Sequence, residues 1–247
     1  RFAYIMLAEK SGWDNGYTYL DTMNPEAVDR FIEVTYDAYY NTLGEEFGKS
    51  VPAIFTDEPR YYAMTFKGYA RDGADSVFPW TQNFSQRFLH KFGYDILEKF
   101  PEVVWERSDL SPNTERYRFF MTAAELFEQG FSKRIGSWCR KHHIAFTGHV
   151  MEEPTLFSQM RAVGEAMRHY RDFDIPGIDM LCNRKEFTTI KQAQSVVHQY
   201  GKEGMTSELY GVTGWDYDFR GHKFQGDWQA ALGVTLRVPH LAWVSMR

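Results

Sequence analysis

The sequence contains few cysteines, and they follow no pattern. Cys139 and Cys182 are the two that occur among 247 residues, and neither belongs to a CxxC motif or to a Cys/His zinc spacing. The fold therefore does not depend on a disulfide framework or on a structural zinc ion. Both thiols are expected to be small buried side chains. Two isolated cysteines leave the cellular compartment open.

Long apolar runs and basic clusters are also missing. No stretch approaches the roughly 20 apolar residues that a membrane-spanning helix needs, so we predict no membrane span. The net charge is −5 and no basic stripe occurs, which argues against a nucleic-acid partner.

The start of the chain has neither an initiator methionine nor a signal peptide. We therefore expect a fragment of a longer protein that carries accessory domains. The location is left open. A periplasmic or secreted protein is favoured over a cytoplasmic one if the full-length chain carries a signal peptide.

Aromatic residues are abundant. They make up 17% of the chain, within a composition of 43% hydrophobic and 25% charged residues that is typical of a soluble globular protein. Such a surplus of aromatic rings can fill a large core, and it can also line a groove that stacks on sugars.

Short apolar segments alternate with helical patterns along the chain. Strands are predicted at residues 2–7, 51–55, 144–147, 178–182, 205–207 and 240–245. Helices are predicted to begin at Asn24 and to span residues 81–92, 113–142, 156–170, 188–200 and 224–232. This alternation predicts right-handed crossovers and a parallel sheet.

The missing glycine-rich turn after the first predicted strand favours a barrel over an open doubly wound sheet. The expected fold is an α/β, TIM-type (β/α)8 barrel that lacks its first two β/α units. Residues 1–247 would form one catalytic barrel domain, with a long loop and helix insertion at about 60–112.

Acidic and histidine side chains lie at or near the ends of the predicted strands. The strand at 51–55 runs into Asp57 and Glu58, and the strand at 144–147 leads to His149 with Glu152 and Glu153 close behind. Asp179 lies in the predicted strand at 178–182, Glu208 follows the one at 205–207, and His240 begins the one at 240–245. Barrels place their chemistry at the carboxyl ends of the strands, so these side chains are expected at one edge.

Two carboxyl groups at one edge match the needs of glycoside hydrolysis, in which one protonates the leaving oxygen and the other activates water or attacks the sugar. Asp57 and Glu58 are adjacent, so on an extended strand end they are expected to point to opposite sides. If two units are missing, Glu58 lies on the fourth barrel strand and Glu208 on the seventh, across the mouth from each other.

The order of several short motifs resembles the catalytic barrel of glycoside hydrolase family 106, the bacterial α-L-rhamnosidase-like group. The resemblance covers nearly the whole chain, and its motifs lie at residues 20–28, 55–59, 147–153, 176–179, 207–215, 227–234 and 240. It implies an inverting hydrolase of α-L-rhamnosides, often assisted by calcium. By position, Glu58 would be the general acid and Glu208 the general base.

The upstream barrel units and accessory β domains of that family are absent from the sequence. For this reason the motifs constrain the choice of substrate poorly. They also leave open whether this piece is active without the residues upstream of it.

The remaining polar candidates each have a structural alternative. Asp57 could hold a loop, His149 could be a satisfied core histidine, and Asp179 could support a turn. Trp215 could stack on a sugar or simply pack. The residues expected to contact substrate are Asp57, His149, Glu152, Asp179, Tyr210, Trp215 and His240.

Two other functions compete with the glycosidase. In a metal-assisted hydrolase the ligands would come from a cluster of His149, Glu152 and Glu153, with Asp179 nearby, although no HxH pair occurs. In a non-catalytic carbohydrate-binding barrel the aromatic loop would remain while the carboxylates pointed apart. Glu152 and Glu153 could also bind a calcium ion or cap the next helix, so no metal ligand is assigned.

Overall fold

The computed structural model describes residues 3–12, 14–61, 75–109 and 111–241. Within these ranges five strands form one parallel sheet in the order β1-β2-β3-β4-β5. The strands are β1 Ala53–Thr56, β2 Ala145–Gly148, β3 Ile175–Met180, β4 Thr206–Leu209 and β5 Leu236–Pro239.

Helices connect the strands. The first group is α1 Pro25–Phe31, α2 Asp37–Leu43, α3 Phe84–Phe92, α4 Ile96–Val104 and α5 Thr114–Phe127. The second group is α6 Lys133–Lys141, α7 Leu156–Ala162, α8 Ala166–Tyr170, α9 Phe187–Tyr200 and α10 Phe219–Ala231. A π-helical turn joins α1 to α2 at Ile32–Tyr36, another joins α5 to α6 at Glu128–Ser132, and a 3-10 turn Gly44–Glu46 follows α2.

Local sequence signals explain where the long helices begin. The Asn24 side chain accepts a hydrogen bond from the Glu26 N–H, and Pro25 occupies the first position of α1. Asn113 caps α5 in the same way through the Arg116 N–H. The predicted helical stretch at 113–142 is confirmed as α5, a π turn and α6.

The expectation of a TIM-type (β/α)8 barrel that lacks two units is wrong. The sheet is a curled half-barrel of five strands, without the eight units of a closed barrel in the part of the chain that the structure describes. Glu58 therefore follows the first strand and Glu208 lies on the fourth, instead of on barrel strands four and seven. Alternating strands and helices indicate parallel pairing, but they do not determine how many units the sheet contains.

Two of the predicted strands also differ from the structure. Residues 3–7 form no strand, and Tyr4 and Leu7 are each 81% exposed. An apolar run becomes a strand only when a neighbouring strand and a covering helix bury it. The last strand lies at Leu236–Pro239, before the predicted 240–245, of which residues 242–247 lie outside the described ranges.

The segment predicted as an insertion at 60–112 contains helices α3 and α4, while its residues 62–74 and 110 lie outside the described ranges. Aromatic rings join these helices to α5: Phe84 lies 4.7 Å from Phe119, and Phe100 lies 5.9 Å from it, between ring centroids. Part of the aromatic surplus therefore fills the core. No helix among the described residues is long and apolar enough to cross a membrane.

Candidate active site

The carboxyl edge of the sheet gathers most of the predicted polar side chains. Because all five strands are parallel, the residues that follow β1, β2 and β5 and those at the ends of β3 and β4 share one edge. Asp179 and Glu208 are register partners on β3 and β4. The His149 N–H donates to the Thr56 carbonyl at 3.1 Å, which ties His149 to the end of β1.

His149 lies at the centre of this edge. Its side chain is 1% exposed. Nε2 lies 3.1 Å from Asp57 Oδ1 and 3.9 Å from Asp179 Oδ2, and Nδ1 lies 4.0 Å from Glu208 Oε2. Glu58, His149 and Asp179 also have ligand atoms within 4.8 Å of one another. Four carboxylates therefore surround one buried imidazole.

Neither ring nitrogen of His149 has a hydrogen-bond partner among the described residues. The 3.1 Å contact with Asp57 is short enough for a hydrogen bond, but the two groups are not aligned for one. The pair is therefore held by charge. A buried imidazole with two free nitrogens is suited to meet a ligand at this edge.

The carboxylates determine the protonation of His149. Burial alone would lower the pKa of His149, but the contact with Asp57 and the charges of Glu153 and Asp179 raise it to about 9. His149 is therefore a cation at neutral pH. The same contact lowers the pKa of Asp57, so that Asp57 remains ionised.

Burial raises the pKa of two other carboxyl groups, whereas the pKa of Asp57 is lowered. It raises the pKa of Glu58, with the His149 charge opposing the rise and the charges of Asp57 and Glu208 adding to it. It also raises the pKa of Asp179 to about 6, again against the charge of His149. Neighbouring carboxyl groups whose pKa values move apart are typical of acid and base pairs.

The adjacent pair Asp57 and Glu58 differs from the expectation that the two side chains point to opposite sides. Both reach His149, because Glu58 has a φ of +46° and so breaks the alternation of an extended strand. Such a conformation is uncommon for a residue other than glycine and is often found at functional sites. The sequence gives no signal of it.

Other residues beyond the strand ends share this left-handed backbone. Among the described residues they include Gly148 with φ +115°, Glu152 with +60°, Cys182 with +58°, Tyr210 with +76° and Val212 with +57°. A Cβ atom on Gly148 would lie 2.0 Å from the Thr56 carbonyl oxygen, so glycine is required where β1 and β2 meet at this edge.

The two neighbouring glutamates after β2 have different environments. Glu152 is exposed, and its carboxylate belongs to neither three-residue group around His149 in the described part of the chain. Glu153 is 4% exposed, and burial raises its pKa to about 8. The cluster predicted from His149, Glu152 and Glu153 therefore includes Glu153 near His149 but not Glu152.

Tyr210 points toward helix α10. Its hydroxyl donates to the His222 carbonyl at 3.2 Å, and the two rings lie 4.5 Å apart. The loops beyond β3 and β4 are joined by Gln225, whose amide donates to the carbonyls of Met180 and Cys182 and accepts from the Tyr217 hydroxyl.

Trp215 and His240 lie in the segments that follow β4 and β5. Trp215, in the loop after β4, is 86% exposed and leaves its ring free for a flat ligand. The His240 N–H donates to the Leu209 carbonyl at 2.9 Å, and the charge of its ring contributes to the lowered pKa of Asp57.

The donor atoms at this edge match a nitrogen-and-oxygen metal better than calcium. Within the described ranges, both three-residue groups with suitable spacing contain His149: one adds Asp57 and Glu208, the other Glu58 and Asp179. Calcium prefers oxygen ligands, whereas imidazole with carboxylates suits zinc or manganese. These two groups therefore suit zinc or manganese better than the calcium ion that the family resemblance implies.

Comparison with known proteins gives the fold. No family model matches the chain, and no curated protein matches it. The solved structure of a rhamnosidase from Novosphingobium sp. PP1Y superposes with a TM-score of 0.68 at 18% identity, over 91% of this chain. The chain has a rhamnosidase-like fold. It spans 21% of the length of that rhamnosidase, and the likeness supports neither the family 106 assignment nor a bacterial origin.

Proposed function

We propose that this chain carries the active site of a glycoside hydrolase and that its substrate is a terminal α-L-rhamnoside. The observation that carries the proposal is the convergence of Asp57, Glu58, Asp179 and Glu208 on the buried His149. The rhamnosidase-like fold supports the choice of sugar, because the solved neighbour is a rhamnosidase.

Glu58 is the proposed general acid. Because burial raises its pKa, the carboxyl group can hold a proton at higher pH than an exposed glutamate and donate it to the leaving oxygen. Glu208 is the proposed general base, which accepts a proton from the attacking water. The attack from the opposite side of the sugar inverts the anomeric carbon.

The groups around Glu58 and Glu208 are proposed to offset their charge and to hold the substrate. His149 carries a positive charge that offsets the repulsion among the acidic side chains. Asp57, which stays ionised, and Asp179 are proposed to accept hydrogen bonds from substrate hydroxyl groups. Trp215 is proposed to stack on a sugar ring, and Tyr210 and His240 to border the substrate.

The test is hydrolysis of a panel of nitrophenyl glycosides by the purified protein. We expect release of nitrophenol from the α-L-rhamnoside, and we expect a variant with both Glu58→Gln and Glu208→Gln to release none above background. Failure to cleave every member of the panel, with a folded protein, would overturn the proposal. Sugar binding without turnover would support the alternative of a carbohydrate-binding protein.

A metal-assisted hydrolase is the second candidate, because a divalent metal could displace a proton from the His149 ring, whose two nitrogens have no hydrogen-bond partner among the described residues. The ligands would be His149 with Asp57 and Glu208, or His149 with Glu58 and Asp179. A bound divalent metal would act as a Lewis acid or activate water. Metal analysis of the purified protein separates the candidates: stoichiometric zinc or manganese, lost in His149→Ala, would favour the metal enzyme, and bound calcium would support the prediction from the family resemblance.

A further inference from the structure

Glu153 is buried beside Asp179 of the proposed active site and makes contacts that the mechanism above does not use. Its Oε2 accepts a hydrogen bond from the Asp179 N–H at 3.0 Å, and its Oε1 accepts one from the Tyr170 hydroxyl. Its main-chain carbonyl accepts from the side-chain amides of Gln159 at 2.7 Å and Gln192 at 3.1 Å. Glu153 is therefore held at both its main chain and its carboxyl group.

The hydrogen bond from the Asp179 N–H to Glu153 lies beyond the point where β2 and β3 stop pairing. The register of β2 with β3 ends at Gly148 and Pro176, whereas β3 continues beside β4 to Met180. Beyond the end of β2, the Glu153 carboxyl group accepts the hydrogen bond of the Asp179 main chain. It thus connects the segment after β2 to the part of β3 that bears an active-site carboxylate.

The same segment also contacts the end of β1. The Met151 N–H donates to the Pro59 carbonyl at 3.3 Å, next to Glu58 in sequence. Residues 149–153 therefore link the segment after β1, which carries Asp57 and Glu58, to β3, which carries Asp179. Because Asp179 is the register partner of Glu208, movement of this main chain would change the separation of the two carboxylates.

We propose that Glu153 is a positioning residue of the active site, which acts as a hydrogen-bond acceptor to fix the main chain at Asp179 and so the placement of Asp179 against Glu208 and His149. A carboxyl group buried to this degree costs stability unless it is fully paired, and an apolar side chain of the same size would fill the space at lower cost. A carboxyl group at this position therefore fits a role in which its oxygen atoms must accept hydrogen bonds. As far as turnover is concerned, the proposal rests on the glycosidase function proposed above.

The test compares two substitutions of nearly equal size. Glu153→Gln keeps an acceptor for the Asp179 N–H, whereas Glu153→Met removes it. We measure hydrogen exchange of the Asp179 amide together with kcat and KM on the nitrophenyl rhamnoside. In Glu153→Met we expect the Asp179 amide to exchange about tenfold faster or more, and kcat to fall about tenfold or more, since loss of one hydrogen bond weakens the contact by about that factor.

The expected pattern distinguishes positioning from a general loss of stability. Because Asp179 is proposed to contact substrate hydroxyl groups, KM in Glu153→Met is expected to rise as kcat falls, and Glu153→Gln should restore exchange, kcat and KM to within about threefold of the wild-type values. The Phe146 amide, which donates to Asp174 at 3.0 Å, serves as the internal control and should exchange at the same rate in all proteins.

Three results would overturn the inference. The first is a folded Glu153→Met protein with wild-type exchange at Asp179 and wild-type kcat. The second is a Glu153→Gln protein as impaired as Glu153→Met, since an acceptor for the Asp179 N–H would then not be sufficient. If Glu153→Met does not fold, Glu153→Asp withdraws the carboxyl group by one methylene, and unchanged exchange at Asp179 would be the third.

The exchange measurement keeps the two proposals separate. If the wild-type protein cleaves no glycoside, the proposed function fails, but exchange at Asp179 still decides whether Glu153 fixes this main chain. If the wild-type protein is active and the Glu153 variants keep its kcat and its exchange rates, only the positioning role fails.

Discussion

Asp179 and Glu208 are register partners on the neighbouring parallel strands β3 and β4. Two acidic side chains in this relationship repel each other, which lowers the stability of a sheet. His149 lies 3.9 Å from Asp179 and 4.0 Å from Glu208, and its positive charge offsets that repulsion. An acidic pair arranged around a buried cation is more typical of an active site than of a structural core.

Glu58→Gln is expected to lower kcat by about 100-fold or more while substrate binding is retained, because an amide cannot donate the proton that the leaving oxygen needs. Steady-state kinetics on an alkyl rhamnoside, whose basic leaving oxygen needs that proton, and calorimetric binding of rhamnose measure the two effects. Glu152→Gln is the matched control, since Glu152 is exposed and lies outside the cluster around His149. Turnover within about tenfold of the wild type in Glu58→Gln would contradict the role.

The first sugar released is expected to have the inverted anomeric configuration. Inversion follows if water attacks in one step with Glu208 as the base, which requires room for that water between the two carboxyl groups. Proton NMR of the reaction mixture within the first minutes identifies the anomer before mutarotation. Release of the retained anomer would instead make one carboxylate a nucleophile.

Stability is expected to fall as the pH rises from 6.5 toward 9. The pKa of His149 is raised from its ordinary value of 6.5 to about 9, so His149 stabilises the folded protein below pH 6.5 and loses that contribution as it deprotonates. The difference between these two pKa values corresponds to about 3 kcal/mol in the free energy of unfolding. Asp57, Glu58, Glu153, Asp179 and Glu208 face the ring. The raised pKa of Glu153, about 8, acts in the same direction over this range, because the folded state keeps its proton longer, whereas the contribution of Asp179 is lost below about pH 6.

Urea unfolding between pH 6 and 9 measures this slope. His149→Gln should make it shallower. His169→Gln is the control, because burial lowers the pKa of His169 to about 4, so its contribution to the pH dependence ends near its ordinary value of 6.5. A wild-type stability that is flat or rises over this interval would contradict the charged state of His149.

Trp215→Ala is expected to raise KM about threefold to tenfold with kcat and thermal stability unchanged, because stacking on a ring contributes roughly 0.5–1.5 kcal/mol. The ring is 86% exposed, so its removal leaves the core intact. Tyr117→Ala on α5, where the ring is 66% exposed, is the control and should leave KM unchanged. Equal KM values in the wild type and Trp215→Ala would remove the stacking role.

Gly148→Ala is expected to destabilise the protein by more than about 3 kcal/mol, because a left-handed backbone and steric overlap both add cost. The added Cβ would lie 2.0 Å from the Thr56 carbonyl oxygen. Gly93→Ala is the control: its φ is +81°, but no atom lies within 4 Å, so about 1 kcal/mol is expected. Denaturant unfolding measures both, and equal losses would show that Gly148 has no special contact.

Some features of the fold could be predicted from local patterns. Asn24 and Pro25 mark the start of α1, and the apolar run before Asp57 marks β1, because caps and short buried strands depend on neighbouring residues. The number of strands could not be predicted this way. Residues 3–7 are as apolar as a strand, yet they pair with no strand in the described part of the chain and remain exposed.

Local patterns in the sequence are enough to identify the chemical groups near the strand ends: carboxylates at 57, 58, 179 and 208, and an imidazole at 149. Their distances from one another depend on the fold. The left-handed turn at Glu58 brings both adjacent carboxylates to His149, and of the two glutamates after β2 it is Glu153 that is buried. These features could not be predicted, because strand register and loop conformation fix the distances between residues far apart in sequence, and pKa values depend on those distances.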